Sequence, residues 1–212
     1  MPDFSNLLLF IAAALALLIT PGPAVLYIVA RSIEQGRTAG IVSVLGISAG
    51  SLFHIAAAAF GVSALLASSA LMFNFVKYLG AAYLIYLGVR KFLSRDEIAQ
   101  SETFAHKKPS RIFYQGMIVN LLNPKAALFF CAFLPQFVDI SKGAVRMQIL
   151  VLGIIFLALG IICDGLWAVA AGAAGNWLKR NAGFLRAQRY FAGSVFIALG
   201  VATAVSGSSR SK

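Results

Sequence analysis

The sequence predicts an all-α membrane protein: six transmembrane helices forming two inverted three-helix repeats, with helices one and four broken. Three observations lead there. The first is composition. Of 212 residues 60% are hydrophobic and 12% are charged, with a mean hydropathy of +0.86, whereas soluble domains are nearer half apolar and a quarter charged. A globule of this size cannot hide that much apolar surface, so the solvent is lipid. The second is the length of the apolar runs, and the third is the placement of prolines within two of them.

About 20 apolar residues cross a bilayer. On that measure the spans are roughly Leu7–Ala30, Gly40–Leu66, Phe73–Val89, Phe113–Val138, Met147–Gly172 and Tyr190–Ser206. Runs this long without alternation are helices, because only helices or closed barrels satisfy their backbone in lipid. The polar stretch "RKFLSRDEIAQSETFAHKKPSR", Arg90–Arg111, joins spans three and four and reads as a flexible loop in which His106 is solvated. The chain is thus one transmembrane domain over 1–212, with repeat one at about 5–91, a linker at about 92–111 and repeat two at about 112–206. The apolar N-terminal stretch lacks a basic leader and is too long for a signal peptide, so it reads as a retained span. The tail "SGSSRSK" reads as disordered.

Lys and Arg set the orientation. Loops after spans one, three and five carry Arg31, Arg37, Arg90, Lys91, Arg95, Lys107, Lys108, Arg111, Lys179, Arg180, Arg186 and Arg189. The opposite side carries Lys77, Lys142, Arg146, Arg210 and Lys212. The linker is therefore cytoplasmic and both termini lie outside. The net charge of +11 follows from these loops and forms no amphipathic basic face, so it does not indicate nucleic acid.

A repeat lies under the spans. "KYLGAAYLIYLGV" from Lys77 matches "RYFAGSVFIALGV" from Arg189; Thr20-Pro21 overlays Asn123-Pro124; Gly50 and His54 overlay Gly160 and Asp164. Three helices is an odd number, so a second copy enters the membrane from the opposite side, the architecture of many secondary transporters. Pro21 and Pro23 supply no N–H, and Gly22 loosens the chain between them. Such a break is tolerated only where it is buried in protein or lines a cavity. The matching break is "NLLNPKAAL", Asn120–Leu128, and paired interruptions of this kind point to a binding site at the midplane.

The chemistry of the breaks suits a carboxylate. A helix restarting after Pro23 or Pro124 presents free N–H groups and a positive dipole end. Thr20, Asn120 and Asn123 add neutral hydrogen-bonding groups. Lys125 would add a positive charge, snorkel to an interface, or neutralise Asp164. Asp164 is the one acidic residue deep in an apolar run, and a carboxylate there costs roughly 3 kcal/mol even by the lower scales. It must face the interior, where it would bind an ammonium, carry a proton, or both. Histidine is the side chain suited to proton exchange near neutral pH, and His54 reads equally as a packed residue or a proton relay. Small residues (Ser43, Gly46, Gly50, His54, Ala58, Gly61 on span two; Gly153, Gly160, Asp164, Ala168, Ala171, Gly175 on span five) form helical stripes that let helices approach closely. Cys131 and Cys163 lie in apolar runs and read as small buried hydrophobes. No metal-ligand set is present, and no cofactor is implied.

At "TPGP", "VNLLNPKAALFF", "FLPQF" and "KYLGAAYLIYLGVRKF" the sequence resembles the lysine exporter (LysE) superfamily, most closely its threonine/homoserine efflux (RhtB-like) branch. The resemblance runs from about Leu7 to Val205. It implies a six-helix carrier of the bacterial inner membrane that exports amino acids or related small metabolites, driven by the proton gradient. It marks Pro21, Gly22, Asn120, Asn123, Pro124 and Asp164 as positions matching family motifs. Pro23 is one of several residues seen at its position there.

Two other classes of membrane protein fit the sequence less well. A membrane-embedded enzyme would need a nucleophile–base pair or metal cluster, and one His with one Asp specifies neither. A non-transporting scaffold would not require breaks at the membrane centre. The expected partners are an amino-acid-like small molecule, protons and the lipid bilayer; the sequence leaves the substrate, the coupling ion and the number of protomers, a homo-oligomer included, open.

Overall fold

The computed structural model describes residues 4–62, 70–93 and 108–180, with isolated helical positions between 190 and 205. Most of the linker, most of span six and the C-terminal tail lie outside the described residues. The described residues are helical throughout apart from short connections and breaks. α1 is Phe4–Ile19, α2 Pro23–Ala57, α3 Ala70–Leu93, α4 Pro109–Leu121, α5 Pro124–Leu128 and α6 Val145–Arg180. A π-helical turn, Ala58–Val62, extends α2. A π-helical turn (Phe129–Phe133) and a 3₁₀ turn (Leu134–Phe137) carry α5 onward.

α2, α4 and α5 all begin with proline in their first turn. A helix start is the one place where the missing N–H is harmless and the fixed φ helps. Proline therefore breaks the chain and also sets where each new helix begins.

α2 is two helical arms. At Gly36 the backbone takes φ 84° and ψ 177°, a region open in practice only to glycine. The chain reverses there. A Cβ placed on Gly40 would collide with the side chain of Ser32, and Ile28 packs with Val44, so residues on either side of Gly36 pair as in an αα-hairpin. Spans one and two are thus joined by a turn tighter than the predicted loop. Arg31 sits inside the first arm, 5% exposed and 3.2 Å from Glu34, not in a solvated loop. Beyond the turn the second arm is about 38 Å long at 1.5 Å per residue, enough to cross a bilayer core of about 30 Å. Gly36→Ala is expected to destabilise the protein by about 1–3 kcal/mol. An unchanged melting temperature in detergent would contradict this turn geometry.

By length and composition, the arm of α2 beyond Gly36 and Val145–Ala173 are apolar enough to span a membrane, as is the pair Pro109–Leu121 and Pro124–Phe137 taken together across a bend of 49°. The small-residue stripes seat the neighbours. Gly46 lies directly on the Phe113 carbonyl, and a Cβ on Gly50 would sit 2.8 Å from Asn120 Cβ. On α6, Gly153, Gly160, Asp164, Ala168 and Ala171 are buried, while Ile154, Ile161, Ile162, Leu166 and Val169 are exposed. This inside-out pattern fits a helix that shows lipid its large side chains and protein its small ones. The span-two stripe is shorter than expected: Ala58 is fully buried, but Gly61 is exposed and meets nothing within 4 Å among the described residues. Gly200 packs against Ala81 and Ile85 of α3, which brings spans three and six together.

Candidate functional site

At the first break α1 stops at Ile19 and the chain is non-helical to Gly22. Pro21 has no N–H for the Leu17 carbonyl, which takes the Thr20 N–H at 3.1 Å instead. The Thr20 hydroxyl donates to the Ala16 carbonyl at 2.7 Å. The Thr20 carbonyl accepts from Lys125 Nζ at 2.5 Å, and that lysine belongs to the second break. Gly22 makes room for its stem: a Cβ there would stand 3.1 Å from Lys125 Cδ. Pro21 is buried, whereas Pro23 is exposed and acts through its backbone alone.

At the second break α4 ends at Leu121, and Asn123 caps the restart by accepting the Lys125 N–H on Oδ1 at 3.1 Å. Pro124 supplies no N–H to the Asn120 carbonyl four residues back. That carbonyl is served by the Asn123 N–H at 3.0 Å and by His54 Nε2 at 3.0 Å. A carbonyl only accepts, so Nε2 is the donor. The His54 ring also stacks on Phe130, 5.8 Å between centroids. His54 thus supports the break from behind and does not line the cavity.

Asn120 is 3% exposed. Its Nδ2 donates to the Ile47 carbonyl at 2.8 Å and to Ser51 Oγ at 2.9 Å. Asn123 Nδ2 lies 3.5 Å from Asn120 Oδ1. Between the breaks is a cavity of about 50 Å³. Asn120, Asn123, Lys125 and Asp164 line it with Ser48, Ser51 and Gly160; Leu17, Leu18, Val25, Ile47, Phe156 and Leu157 form its apolar wall. Lys125 and Asp164 are 8% and 6% exposed, and their opposite charges act on one another. Lys125 is therefore turned inward and does not snorkel. The cavity volume exceeds the roughly 10–15 Å³ that one water needs, so the cavity can hold water.

Sequence reasoning missed Ser48 and Ser51. They lie three residues apart on either side of Gly50 and could have been found by tracing polar rather than small residues along span two. It also missed that Lys125 and His54 cap carbonyls at the breaks. Among the described residues no cluster of His, Cys, Asp or Glu could hold a metal ion.

Lipid-facing helices enclosing a small charged cavity at two facing breaks define a membrane translocator. The chain belongs to the LysE type translocator family, whose model matches residues 15–207. It is 30% identical to the uncharacterised membrane protein YrhP of Bacillus subtilis (strain 168), over 95% of this chain and 99% of that one. It is 28% identical to an uncharacterised membrane protein of Vibrio cholerae, over 94% and 96%. It is 27% identical to the homoserine/homoserine lactone efflux protein of Salmonella typhimurium (strain LT2), over 90% and 92%. No solved structure matches. These relationships make the chain a transport protein of the membrane and not an enzyme.

Proposed function

We propose that the protein is a secondary active exporter of amino acids or closely related small metabolites across the bacterial inner membrane, coupled to proton entry by antiport. In this reading it has six spans in two inverted three-helix repeats, and Thr20, Pro21, Gly22, Pro23, Asn120, Asn123, Pro124, Lys125 and Asp164 form the substrate site. The observation that carries it is the cavity in which Asn120, Asn123, Lys125 and Asp164 meet between the two breaks. One cation and one carboxylate facing a shared space suit a zwitterion. The relatives named for homoserine and homoserine lactone efflux support the direction of transport and the substrate class.

Antiport follows from the cost of a bare carboxylate in an apolar centre. Asp164 is compensated when it holds a substrate ammonium and neutral when it holds a proton. The carrier reorients in those two states and stays put when Asp164 is ionised and faces Lys125 without substrate. His54, engaged by a carbonyl and a ring, is the secondary candidate for the proton.

The test is efflux of a panel of labelled amino acids from cells overexpressing the chain. Faster export of at least one than in cells without it supports the reading; no change across the panel contradicts it. Topology is checked separately. With both termini periplasmic, a Ser101→Cys variant is expected to resist a membrane-impermeant thiol reagent in intact cells, and labelling from outside would invert the orientation.

A further inference from the structure

Asn120 and Asn123 are both amides, yet their partners leave them opposite chemistry. The Ile47 carbonyl can only accept, so the Asn120 atom beside it is the NH₂ group; its second hydrogen goes to Ser51 Oγ. Both donor hydrogens are used, and what Asn120 has left is an acceptor, Oδ1. The Lys125 backbone N–H can only donate, so the Asn123 atom beside it is the oxygen. What Asn123 has left is a donor, Nδ2. These assignments rest on backbone groups of fixed polarity and do not depend on which way the amides are drawn.

The two remaining groups face each other 3.5 Å apart, beyond the usual 2.7–3.2 Å hydrogen-bond range. Both residues line the cavity and are at least nine-tenths buried. We infer that this Asn120–Asn123 pair orients the substrate, Asn120 Oδ1 accepting from its ammonium and Asn123 Nδ2 donating to its carboxylate. A ligand with its own donor and acceptor on one carbon replaces a long, weak contact with two complementary ones. Asp164 then reinforces the ammonium side, and Lys125 the carboxylate side. Ser51 is a positioning residue, because it takes the second Asn120 hydrogen and holds Oδ1 toward the cavity. This deepens the transport reading above and rests on it.

L-Homoserine and L-homoserine lactone separate the two ends: both carry an ammonium, and only the first carries a free carboxylate. Asn123→Asp keeps the helix cap, since Asp caps as well as Asn, but replaces the cavity-facing donor with an oxygen. In proteoliposomes of the full chain it is expected to slow homoserine efflux about ten- to a hundredfold more than it changes efflux of the lactone, the worth of a hydrogen bond to a charged group. Asn123→Ser, with a hydroxyl that both accepts and donates, is expected to restore part of the homoserine rate. Ser51→Ala is expected to slow both probes together. If the parent moves both probes and Asn123→Asp slows them equally, the orientation is wrong while the transport reading stands. If the parent moves neither, the transport reading fails and the orientation with it.

Discussion

Asp164→Asn is expected to abolish efflux driven by a pH gradient while leaving the protein folded and inserted. The amide has the shape of the protonated carboxyl, so packing around the cavity is kept. Lys125 loses its counter-ion but keeps the Thr20 carbonyl as a partner, so the variant is expected to be less stable than the parent yet still folded. What it cannot do is lose the proton and exchange it for an ammonium. Export against a gradient should fall to the level of cells lacking the protein. Downhill exchange of substrate should fall as well, because the ammonium has lost its counter-ion. Efflux measured with an imposed pH difference decides it. Parental rates in the variant would make Asp164 structural and move the proton to another group, with His54 next in line.

Lys125→Met is expected to have the second large effect, on both stability and transport. Its ammonium caps the Thr20 carbonyl at 2.5 Å and shares a cavity with Asp164. Methionine fills the space of the stem but leaves that carbonyl without this donor and the carboxylate without its cation. Removing one partner of a buried charge pair costs about 3–5 kcal/mol in soluble proteins, and an unserved polar group in a membrane interior costs further. Thermal melting in detergent should fall accordingly. Adding Asp164→Asn should recover part of the stability, since no unpaired carboxylate then remains, but none of the transport. A Lys125→Met protein as stable as the parent would show that the two charges are not coupled.

The breaks were legible in the sequence because proline acts locally: Pro21, Pro23 and Pro124 each remove a backbone donor wherever they stand. Burial of Asp164 was legible for a similar reason, since a carboxylate amid apolar residues has few places to go. The hairpin at Gly36 was not. A short polar stretch reads as a loop, and only the backbone angles show one glycine reversing the chain while Arg31 and Glu34 stay in the helix. The roles of Lys125 and His54 were also hidden. Each serves a carbonyl far away in sequence, Lys125 at Thr20 and His54 at Asn120, and no local pattern records such a partner. Gly50 and Gly160 were visible only as small residues; the structure shows Gly50 admitting Asn120 to its place and Gly160 forming cavity wall.

On the proposed reading, transport passes through the cavity between the two breaks. Ser48 lines that cavity without holding a charge there, so its accessibility reports on occupancy. With Cys131 and Cys163 replaced by serine, a Ser48→Cys variant that still exports a labelled amino acid can be treated with a small thiol-reactive reagent in proteoliposomes. Alkylation is expected to stop efflux, and the transported amino acid is expected to slow alkylation over the same concentration range in which it is carried. Alkylation at one rate with and without substrate, or complete alkylation that leaves efflux intact, would place the transport path elsewhere.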